Sequence, residues 1–196
     1  MAKKPISTLG QGEAVRREIV AAANRLFYHR GYNQTSFSDI AQAAGIPRGN
    51  FYYYFKSKDD ILGAVIDARI EGIRAMLAAW DAAEPDPRLR LKRFSQMILG
   101  SEKDLLRYGC PMGSLNIELG KAQPALKAKA KKMFDLFIDW LTRQLAAVGH
   151  ANAARLAMEV MGRAQGVAVM TQVYGDREFL HAQLAAFDAW VESLPG

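Results

Sequence analysis

Residues 35–62 read TSFSDIAQAAGIPRGNFYYYFKSKDDIL, and this stretch predicts two short helices around a glycine turn. Ser36 stands three residues before Asp39, the spacing of a capping box at a helix start, with Asp in place of the usual Glu. Gly45 is placed to end that helix, because glycine readily adopts the left-handed conformation found just past a helix C-terminus. Pro47 falls at the first turn of the next helix, where its missing amide is not needed. The pattern is typical of a helix-turn-helix unit.

The second of these helices opens with residue types that read and hold DNA. Arg48 lies near its N-terminus, where a guanidinium can bond the O6 and N7 atoms of guanine together, so we predict that it reads a base. Gly49 lets the backbone approach a duplex closely, and Asn50 can reach a base edge or a phosphate. We predict DNA contacts from nine residues: Thr35, Ser36, Arg48, Gly49, Asn50, Tyr52, Tyr53, Tyr54 and Lys58.

The alternative is that the aromatic run belongs to a protein core. Phe51 and Phe55 are four residues apart and are expected to face that core. Three consecutive tyrosines cannot all point the same way on a helix, so at least one of Tyr52, Tyr53 and Tyr54 is expected to be exposed. A phenolic hydroxyl is suited to phosphate oxygens, and an exposed tyrosine beside Arg, Gly, Asn and Lys favours DNA binding over packing alone.

The same stretch resembles the TetR family of transcriptional regulators. The family pattern runs from Thr-(Ser/Thr) through Ala-Gly-(Val/Ile) and Tyr-Tyr-(His/Tyr)-Phe to Ser-Lys, and every defined position is filled here. The resemblance is specific over residues 14–66 and looser beyond them. It implies phosphate contacts from Tyr52, Tyr54 and Lys58, although the position of Tyr54 is more often His. It also implies a repressor that binds a near-palindromic double-stranded DNA operator as a homodimer.

Charge is distributed unevenly along the chain. Residues 1–58 hold nine Lys or Arg against three acids, whereas residues 59–196 hold seventeen of each, so the whole net charge of +6 lies in the first part. A basic part beside a neutral one is typical of a protein that binds a polyanion. Residues 1–12 contain Lys3 and Lys4 with Pro and Gly, and we predict that they form a flexible basic tail that adds phosphate or minor-groove contacts.

Composition argues against several other classes of protein. No apolar run approaches the length of a membrane span, and the N-terminus lacks the apolar segment of a signal peptide, so we expect a cytoplasmic protein without membrane contact. The single cysteine precludes an intrachain disulfide. The three histidines are isolated from one another, and there is no phosphate-binding loop or dinucleotide fingerprint. We therefore predict no metal, no cofactor and no catalytic residues, and the chain is not expected to be an enzyme.

Helical periodicity extends over nearly the whole chain, and the predicted fold class is all-α. Beyond the two short helices, the spacing of apolar residues predicts helices over residues 13–31, 58–83, 88–107, 114–120, 124–148, 152–174 and 176–194. We divide the chain into the tail, a three-helix helix-turn-helix domain over residues 13–60, here called the reader, and a helical ligand-binding and dimerisation domain over residues 61–196. The long helix over residues 58–83 joins the two domains, and we expect it to act as a rigid lever that swings the reader.

The last two predicted helices are candidates for a homodimer interface. The helix over residues 152–174 is apolar around most of its circumference, which requires burial on most sides. One small chain is not expected to cover both this helix and the last one. The resemblance implies a four-helix dimer bundle at this place. The predicted interface residues are Val160, Val167, Met170, Leu184, Phe187 and Trp190.

An input to such a regulator is expected in the second domain. Methionine adapts to irregular ligands, and ligand pockets are mostly apolar with few polar groups. The candidate lining residues are Met97, Met112, Phe134, Phe137, Met161 and Met170, with Asn116 and Gln165 as polar groups. For any single one of these residues, ordinary core packing is the favoured interpretation.

Cys110 offers a second kind of input. It lies in the segment Tyr-Gly-Cys-Pro-Met-Gly-Ser, where Pro111 predicts that a helix begins just after it, and a helix N-terminus favours a reactive thiolate. Within the family, this segment resembles a branch that includes electrophile-sensing repressors with a reactive cysteine. Other members of that branch bind small aromatic or carboxylate compounds. Three functions stay open at this stage: a repressor released by cysteine modification, one released by such an inducer, and an architectural DNA binder without regulation.

Overall fold

The computed structural model describes residues 8–120 and 123–194, without the side chains of Thr8, Leu9, Gln11 and Arg48. Within these ranges the chain forms ten α-helices and no strand, which confirms the predicted all-α class. They are α1 (Thr8–Arg30), α2 (Phe37–Ala43), α3 (Arg48–Tyr54), α4 (Lys58–Ala83), α5 (Pro87–Gly100), α6 (Glu102–Tyr108), α7 (Pro111–Leu119), α8 (Pro124–Ala147), α9 (Ala153–Tyr174) and α10 (Arg177–Glu192).

The turn between α2 and α3 closes as its sequence predicts. Ser36 Oγ accepts a hydrogen bond from the Asp39 amide at 3.1 Å, while the Asp39 carboxylate accepts one from the Ser36 amide at 2.8 Å. Gly45 follows α2 with a φ of +67°, and the amides of Gly45 and Ile46 bond back to carbonyls in the last turn of that helix. This is the Schellman arrangement, in which a left-handed glycine satisfies the free carbonyls of a helix end. The predicted capping box and glycine stop are both confirmed.

Three predicted boundaries are wrong. Helix α1 begins at Thr8, so residues 8–12 do not belong to a tail, while Lys3 and Lys4 lie outside the described residues. A glycine weakens a helix by about 1 kcal/mol but does not end one whose later turns are anchored by a core. The single helix predicted over residues 88–107 is two helices that meet at Ser101, and α7 begins at Pro111 rather than Ser114.

A single apolar core runs from the reader into α4, α7 and α8. Its buried members include Phe27, Ile40, Phe51 and Phe55 of the reader, Leu62, Val65 and Ile66 of α4, and Leu115, Leu119 and Met133 beyond them. The apolar side chains of the reader are therefore covered in part by helices of the second domain. The domain division after residue 60 stays a prediction.

A second core holds the remaining helices around Trp140 of α8. The indole is fully buried, and its Nε1 donates a hydrogen bond to the Asp81 carboxylate of α4 at 2.9 Å. Phe94 of α5 and Phe187 of α10 pack into the same cluster. Helix α4 thus contributes to both cores, with its first half in the reader core and its second half here. No helix within the described residues is long and apolar enough to cross a membrane.

Helices α9 and α10 bury more of themselves inside the protomer than the sequence predicts. Four of the six predicted interface residues are buried in the chain's own core: Val160, Val167, Leu184 and Phe187. Helices α5, α6 and α8 supply this cover within the protomer, and the role of the four residues in an interface stays a prediction. Met170 is exposed and Trp190 is half-buried, so both are open to a partner.

The opposite face of α9 is apolar and uncovered. It carries five exposed large side chains: Met158, Val169, Met170, Val173 and Tyr174. Gly162 and Gly166 lie in the same helix, and a Cβ atom added at either would meet nothing within 4 Å. The outer surface of α9 is therefore locally flat and rich in apolar side chains, with the exposed Arg155–Glu159 pair near its N-terminal end.

Candidate DNA-binding and effector sites

Helix α3 presents a polar and aromatic face to solvent. Tyr53 is 82% exposed and Tyr52 is 56% exposed, while Gly49 and Asn50 also lie at the surface. Phe51 is fully buried beneath them and, with Phe55, anchors the helix to the reader core, as predicted. The buried phenylalanines turn Tyr52 and Tyr53 towards solvent, and this orientation leaves the first turn and the outer side of α3 accessible to a major groove.

The tyrosines of α3 differ in how firmly they are held. The ring of Tyr52 stacks on Phe37 of α2 with centroids 5.1 Å apart, and its carbonyl accepts a hydrogen bond from Lys56 Nζ at 2.7 Å. Tyr54 is half-buried and packs against the reader core. Tyr53 projects furthest into solvent. On this face Tyr52 and Tyr54 are held by neighbouring residues, whereas Tyr53 is free. Arg48 is the first residue of α3, and its base contact stays a prediction.

One predicted DNA contact is contradicted and another is engaged within the protein. Thr35 is only 1% exposed, and its hydroxyl donates a hydrogen bond to the Gly31 carbonyl at 2.7 Å, so this side chain cannot clamp a phosphate. Lys58 Nζ donates to the Tyr32 carbonyl at 2.9 Å and lies 4.1 Å from the centre of the Tyr32 ring. Ser36 is exposed at the start of α2, where its hydroxyl is bonded to Asp39.

A cavity of about 400 Å³ lies between α1, α4 and the helices α5 to α9. Six of the nine predicted ligand or sensor residues line it: Met97, Cys110, Met112, Phe137, Met161 and Gln165. Asn116 does not, because its amide donates to the Met112 carbonyl at 3.0 Å on α7. Phe134 does not either, since it lies one residue past Met133 and so points about 100° around α8. Met170 lies on the exposed side of α9.

Four polar residues on the cavity wall escaped the sequence prediction, one of them Ser101 between α5 and α6. Asn24 and Tyr28 come from α1 of the reader, and Arg69 comes from α4. The Arg69 guanidinium donates through Nε to the Asn24 side-chain oxygen at 2.7 Å and through a terminal nitrogen to the Pro111 carbonyl at 2.9 Å. One signal was available, because Arg69 stands three residues after Ile66 and four before Ile73 and so interrupts the apolar face of α4.

Tyr28 ties the reader to the segment that carries Cys110. Its hydroxyl donates a hydrogen bond to the Gly109 carbonyl at 2.9 Å. Burial, assisted by the Asp104 carboxylate, raises the pKa of Tyr28 well above its ordinary value, so this hydroxyl stays protonated and remains a donor. Gly109 has a φ of +73° and its Cα faces the Gln172 amide of α9 so closely that a Cβ would overlap it. Glycine is thus required at the joint between α6 and Cys110.

Cys110 is half-buried and begins α7. Its Sγ accepts a hydrogen bond from the Gly113 amide at 3.4 Å, which makes the sulfur the cap of that helix. The residue also lines the cavity. The sulfur therefore meets both the start of α7 and any molecule that enters the cavity.

The far end of α7 clamps the loop after α1. The two carboxylate oxygens of Glu118 accept hydrogen bonds from the Tyr32 amide at 2.8 Å and the Asn33 amide at 2.6 Å. Gly31, with a φ of +89°, allows this approach, since a Cβ there would lie 2.9 Å from a Glu118 oxygen. Helix α7 thus touches the cavity at one end and the reader at the other, a link that sequence patterns did not reveal.

Comparison with known sequences identifies the class of protein. The family described as "Bacterial regulatory proteins, tetR family" matches residues 19–65, which hold most of α1, then α2, α3 and the start of α4. A second family, described as "Transcriptional regulator LmrA/YxaF-like, C-terminal domain", matches residues 91–186. The chain belongs to the TetR family. The resemblance predicted from the reader is confirmed at this level, and the second match places the C-terminal part of this TetR-family regulator among LmrA/YxaF-like domains.

Relatives of this TetR-family chain share about a quarter of its residues. The HTH-type transcriptional regulator TtgR of Pseudomonas putida is 25% identical over 170 residues, which cover 82% of this chain and 81% of TtgR. An uncharacterized HTH-type transcriptional regulator of Lactococcus lactis is 29% identical over 135 residues, covering 68% of this chain and 69% of the relative.

Solved structures of the family share the whole architecture. A TetR transcriptional regulator from Legionella pneumophila superposes with a TM-score of 0.79 at 27% identity, covering 95% of this chain and 98% of that one. The reduced form of NemR from Escherichia coli has the same fold, with a TM-score of 0.80 at 20% identity over 89% of this chain and 95% of NemR. This TetR-family protein is a helix-turn-helix, DNA-binding transcriptional regulator and not an enzyme.

Proposed function

We propose that this regulator binds a near-palindromic operator as a homodimer, represses transcription there, and leaves the DNA when a small molecule occupies the cavity. The observation that carries the proposal is the composition of the cavity wall. Asn24 and Tyr28 belong to the reader, whereas the other lining residues belong to α4 and the helices after it. A ligand in the cavity contacts the reader and the following helices at once. Its contacts therefore change whenever the reader moves relative to those helices. That difference is what a ligand needs in order to shift a conformational equilibrium.

Two elements support transmission from the cavity to the reader. Helix α4 borders the cavity through Arg69, Ile73 and Met76 and packs into the reader core at its other end, so a shift of α4 moves the reader as a lever. Helix α7 borders the cavity through Met112 and holds the loop after α1 through Glu118. Both connections are rigid helices, which carry displacement over a distance better than loops.

The uncovered face of α9 supports a homodimer. Exposed apolar surface of this kind on one helix is typical of an interface between proteins. Gly162 and Gly166 add no side chain to it, so the same helix of a second copy can approach closely. A symmetric pair presents two α3 helices to two half-sites, which a near-palindromic operator requires.

A second route of release goes through Cys110 and is favoured by one observation. The sulfur lies at the start of α7 and on the cavity wall, so an adduct on it places new atoms between α7 and the reader. In the reaction with a maleimide, the thiolate sulfur forms a bond to one carbon of the double bond, and a proton ends on the other carbon. An adduct of that size fits the cavity only if its walls move apart.

The test is operator binding by the purified protein, measured by fluorescence anisotropy on DNA from upstream of its own gene with excess nonspecific competitor. The wild type and Cys110→Ser are each compared before and after treatment with N-ethylmaleimide. We expect specific binding by both, and a loss of affinity of roughly tenfold or more on treatment of the wild type alone, the size of a typical allosteric coupling.

The other outcomes separate the remaining functions. Specific binding that treatment leaves unchanged in both proteins removes the cysteine route and leaves release by a reversible ligand. Binding without sequence preference that rises steeply at low salt contradicts regulation and favours an architectural role. Ala164→Phe serves as a matched test of occupancy, because it adds a ring to the cavity from α9 and keeps the cysteine, and we expect it to weaken operator binding without any treatment.

A further inference from the structure

One cation, Arg69, lies among polar groups on the cavity wall. Of the described residues that line the cavity, Arg69 alone carries a charged side chain. Its guanidinium bonds Asn24 and the Pro111 carbonyl, and Tyr28 is bonded next to it, at Gly109. Most of the remaining wall consists of methionine, phenylalanine and aliphatic side chains. A charge at the edge of an apolar chamber is where a ligand with one polar end would bind.

Arg69 has no carboxylate counterion among the described residues, since no acid there forms an ion pair with its guanidinium within 4.0 Å. The groups whose negative charge would favour the guanidinium are Cys110 and Tyr28. Burial lowers the pKa of Arg69 from its ordinary value, although arginine stays charged. The hydrogen bonds described for it use two of its five N–H groups. A charge taken out of water without a counterion is unfavourable, so an anion is the partner that this site lacks.

A purely structural role does not account for the charge. The bonds to Asn24 and Pro111 hold α1, α4 and α7 together, but a neutral amide of glutamine also offers donors to two oxygen acceptors. The unused N–H groups of a guanidinium form a planar fork that matches a carboxylate. The Asn24 amide nitrogen lies in the same group and adds a donor beside it.

We propose that the effector is a monoanionic carboxylate with an apolar, one- or two-ring body, and that Arg69 binds its carboxylate. One positive charge on the wall balances one negative charge, which favours a carboxylate over a doubly charged phosphate. The volume of about 400 Å³ lies at the small end of the ~300–1000 Å³ range of ligand sites, and the apolar walls suit a ring rather than a sugar. This assignment rests on the proposed release by a cavity ligand and names its chemical class.

The experiment measures binding without DNA, so that its result is independent of the operator. Isothermal titration compares benzoate, hydrocinnamate and naphthoate, each with its primary amide, on the wild type, Arg69→Gln, Arg69→Lys and Arg74→Gln. Arg74 is the control because it lies on the same helix, exposed and paired with Glu71. We expect at least one acid to bind the wild type and Arg74→Gln about tenfold or more tightly than its amide, and Arg69→Gln to lose that preference.

Arg69→Lys keeps the positive charge, and we expect it to keep a preference for the acid over the amide. This variant still tests the assignment if Arg69→Gln does not fold. Three results overturn the assignment: no saturable binding of any acid to the wild type, equal binding of acid and amide, or unchanged acid binding by folded Arg69→Gln. If an amide binds as tightly as its acid and releases the operator, the proposed function stands while the anion assignment fails. If an acid binds with the expected preference and the protein stays on its operator, the assignment stands while release fails.

Discussion

The hydroxyl of Ser36 and the carboxylate of Asp39 exchange hydrogen bonds at the start of α2, and this exchange fixes the angle at which the reader's second helix leaves the loop. Replacing a capping serine by alanine leaves helix amides without a partner. We expect Ser36→Ala to lower the free energy of unfolding by about 1 kcal/mol, measured by urea denaturation.

The chain supplies a matched control for that prediction. Asn152 precedes α9 at the same position, but its side chain makes no capping hydrogen bond. Asn152→Ala is therefore expected to leave the free energy of unfolding unchanged within error. Equal losses in the two variants would show that the bond at Ser36 does not stabilise the fold.

Tyr32 predicts a dependence of stability on alkaline pH. Burial of the phenol, helped by its hydrogen bond to the Asp59 carboxylate, raises the pKa of Tyr32 to about 12. The unfolded chain releases this proton near pH 10, so the folded state holds it more tightly. The resulting stability is complete below about pH 10 and is lost as pH rises towards about 12, by up to about 1.4 kcal/mol per pH unit.

The measurement compares Tyr32→Phe with the wild type by urea denaturation at about pH 9 and about pH 11, on either side of the ordinary tyrosine value. We expect the stability advantage of the wild type to shrink at the higher pH. An advantage that is the same at both pH values contradicts the prediction, because the phenol would then ionise equally in the folded and unfolded states.

At the scale of helices, local rules predicted what local interactions decide. The caps of α2, the turn at Gly45 and the span of α4 follow from side-chain and backbone bonds between residues near in sequence. The break at Ser101 was missed because a helix over residues 88–107 and two shorter ones share the same apolar spacing. The burial of Thr35 was missed because its partner is a backbone carbonyl, which leaves no residue pattern.

The cavity shows the same limit. Methionines and Phe137 were predicted from their residue types, whereas Asn24 and Tyr28 lie far away in sequence and meet Arg69 only through the packing of α1 on α4. The periodicity of one helix does not indicate which other helix will pack against it. The sequence therefore predicts the apolar residue types of the cavity wall, but it does not predict which polar side chains meet Arg69.

At the scale of helices, we predict that α7 transmits the signal from the cavity to the reader through Glu118. Glu118→Gln keeps the size of the side chain but replaces one accepting oxygen by a donor, which cannot bond a backbone amide. We expect urea denaturation to show a loss of about 1–3 kcal/mol, typical of a bond to a charged acceptor. We also expect N-ethylmaleimide to change operator affinity less in this variant than in the wild type.

Glu71→Gln is the control for that experiment, since Glu71 forms an exposed pair with Arg74 within α4 and contacts no loop of the reader. It is expected to behave as the wild type in both measurements. If Glu118→Gln responds to the maleimide as fully as the wild type does, α7 does not transmit the signal and the lever role remains with α4.

For the whole molecule, the exposed face of α9 predicts the state of assembly. Val173→Glu places a charge among the exposed apolar side chains near the end of α9, where a partner helix would have to bury it without a counterion. We expect the wild type to sediment as a dimer and the variant as a monomer in analytical ultracentrifugation. Operator affinity is expected to fall roughly a hundredfold or more, because the second half-site no longer binds at high effective concentration.

Leu89→Glu is the matched control, because Leu89 is also an exposed apolar residue but lies on α5, away from α9. This variant is expected to remain a dimer with unchanged operator affinity. A dimeric Val173→Glu would move the interface to another surface of the protein.

The core that the reader shares with α7 and α8 limits how this protein can be recombined with others. Leu115, Leu119 and Met133 belong to the same buried cluster as the phenylalanines of the reader, so a cut after residue 60 removes part of that core. A biosensor built by exchanging DNA-binding segments among regulators would have to transfer these three residues together with the DNA-binding segment. Helix α3 and most of the cavity wall lie in different stretches of sequence, but the shared core and the contribution of α1 to the cavity mean that they are not separately transplantable.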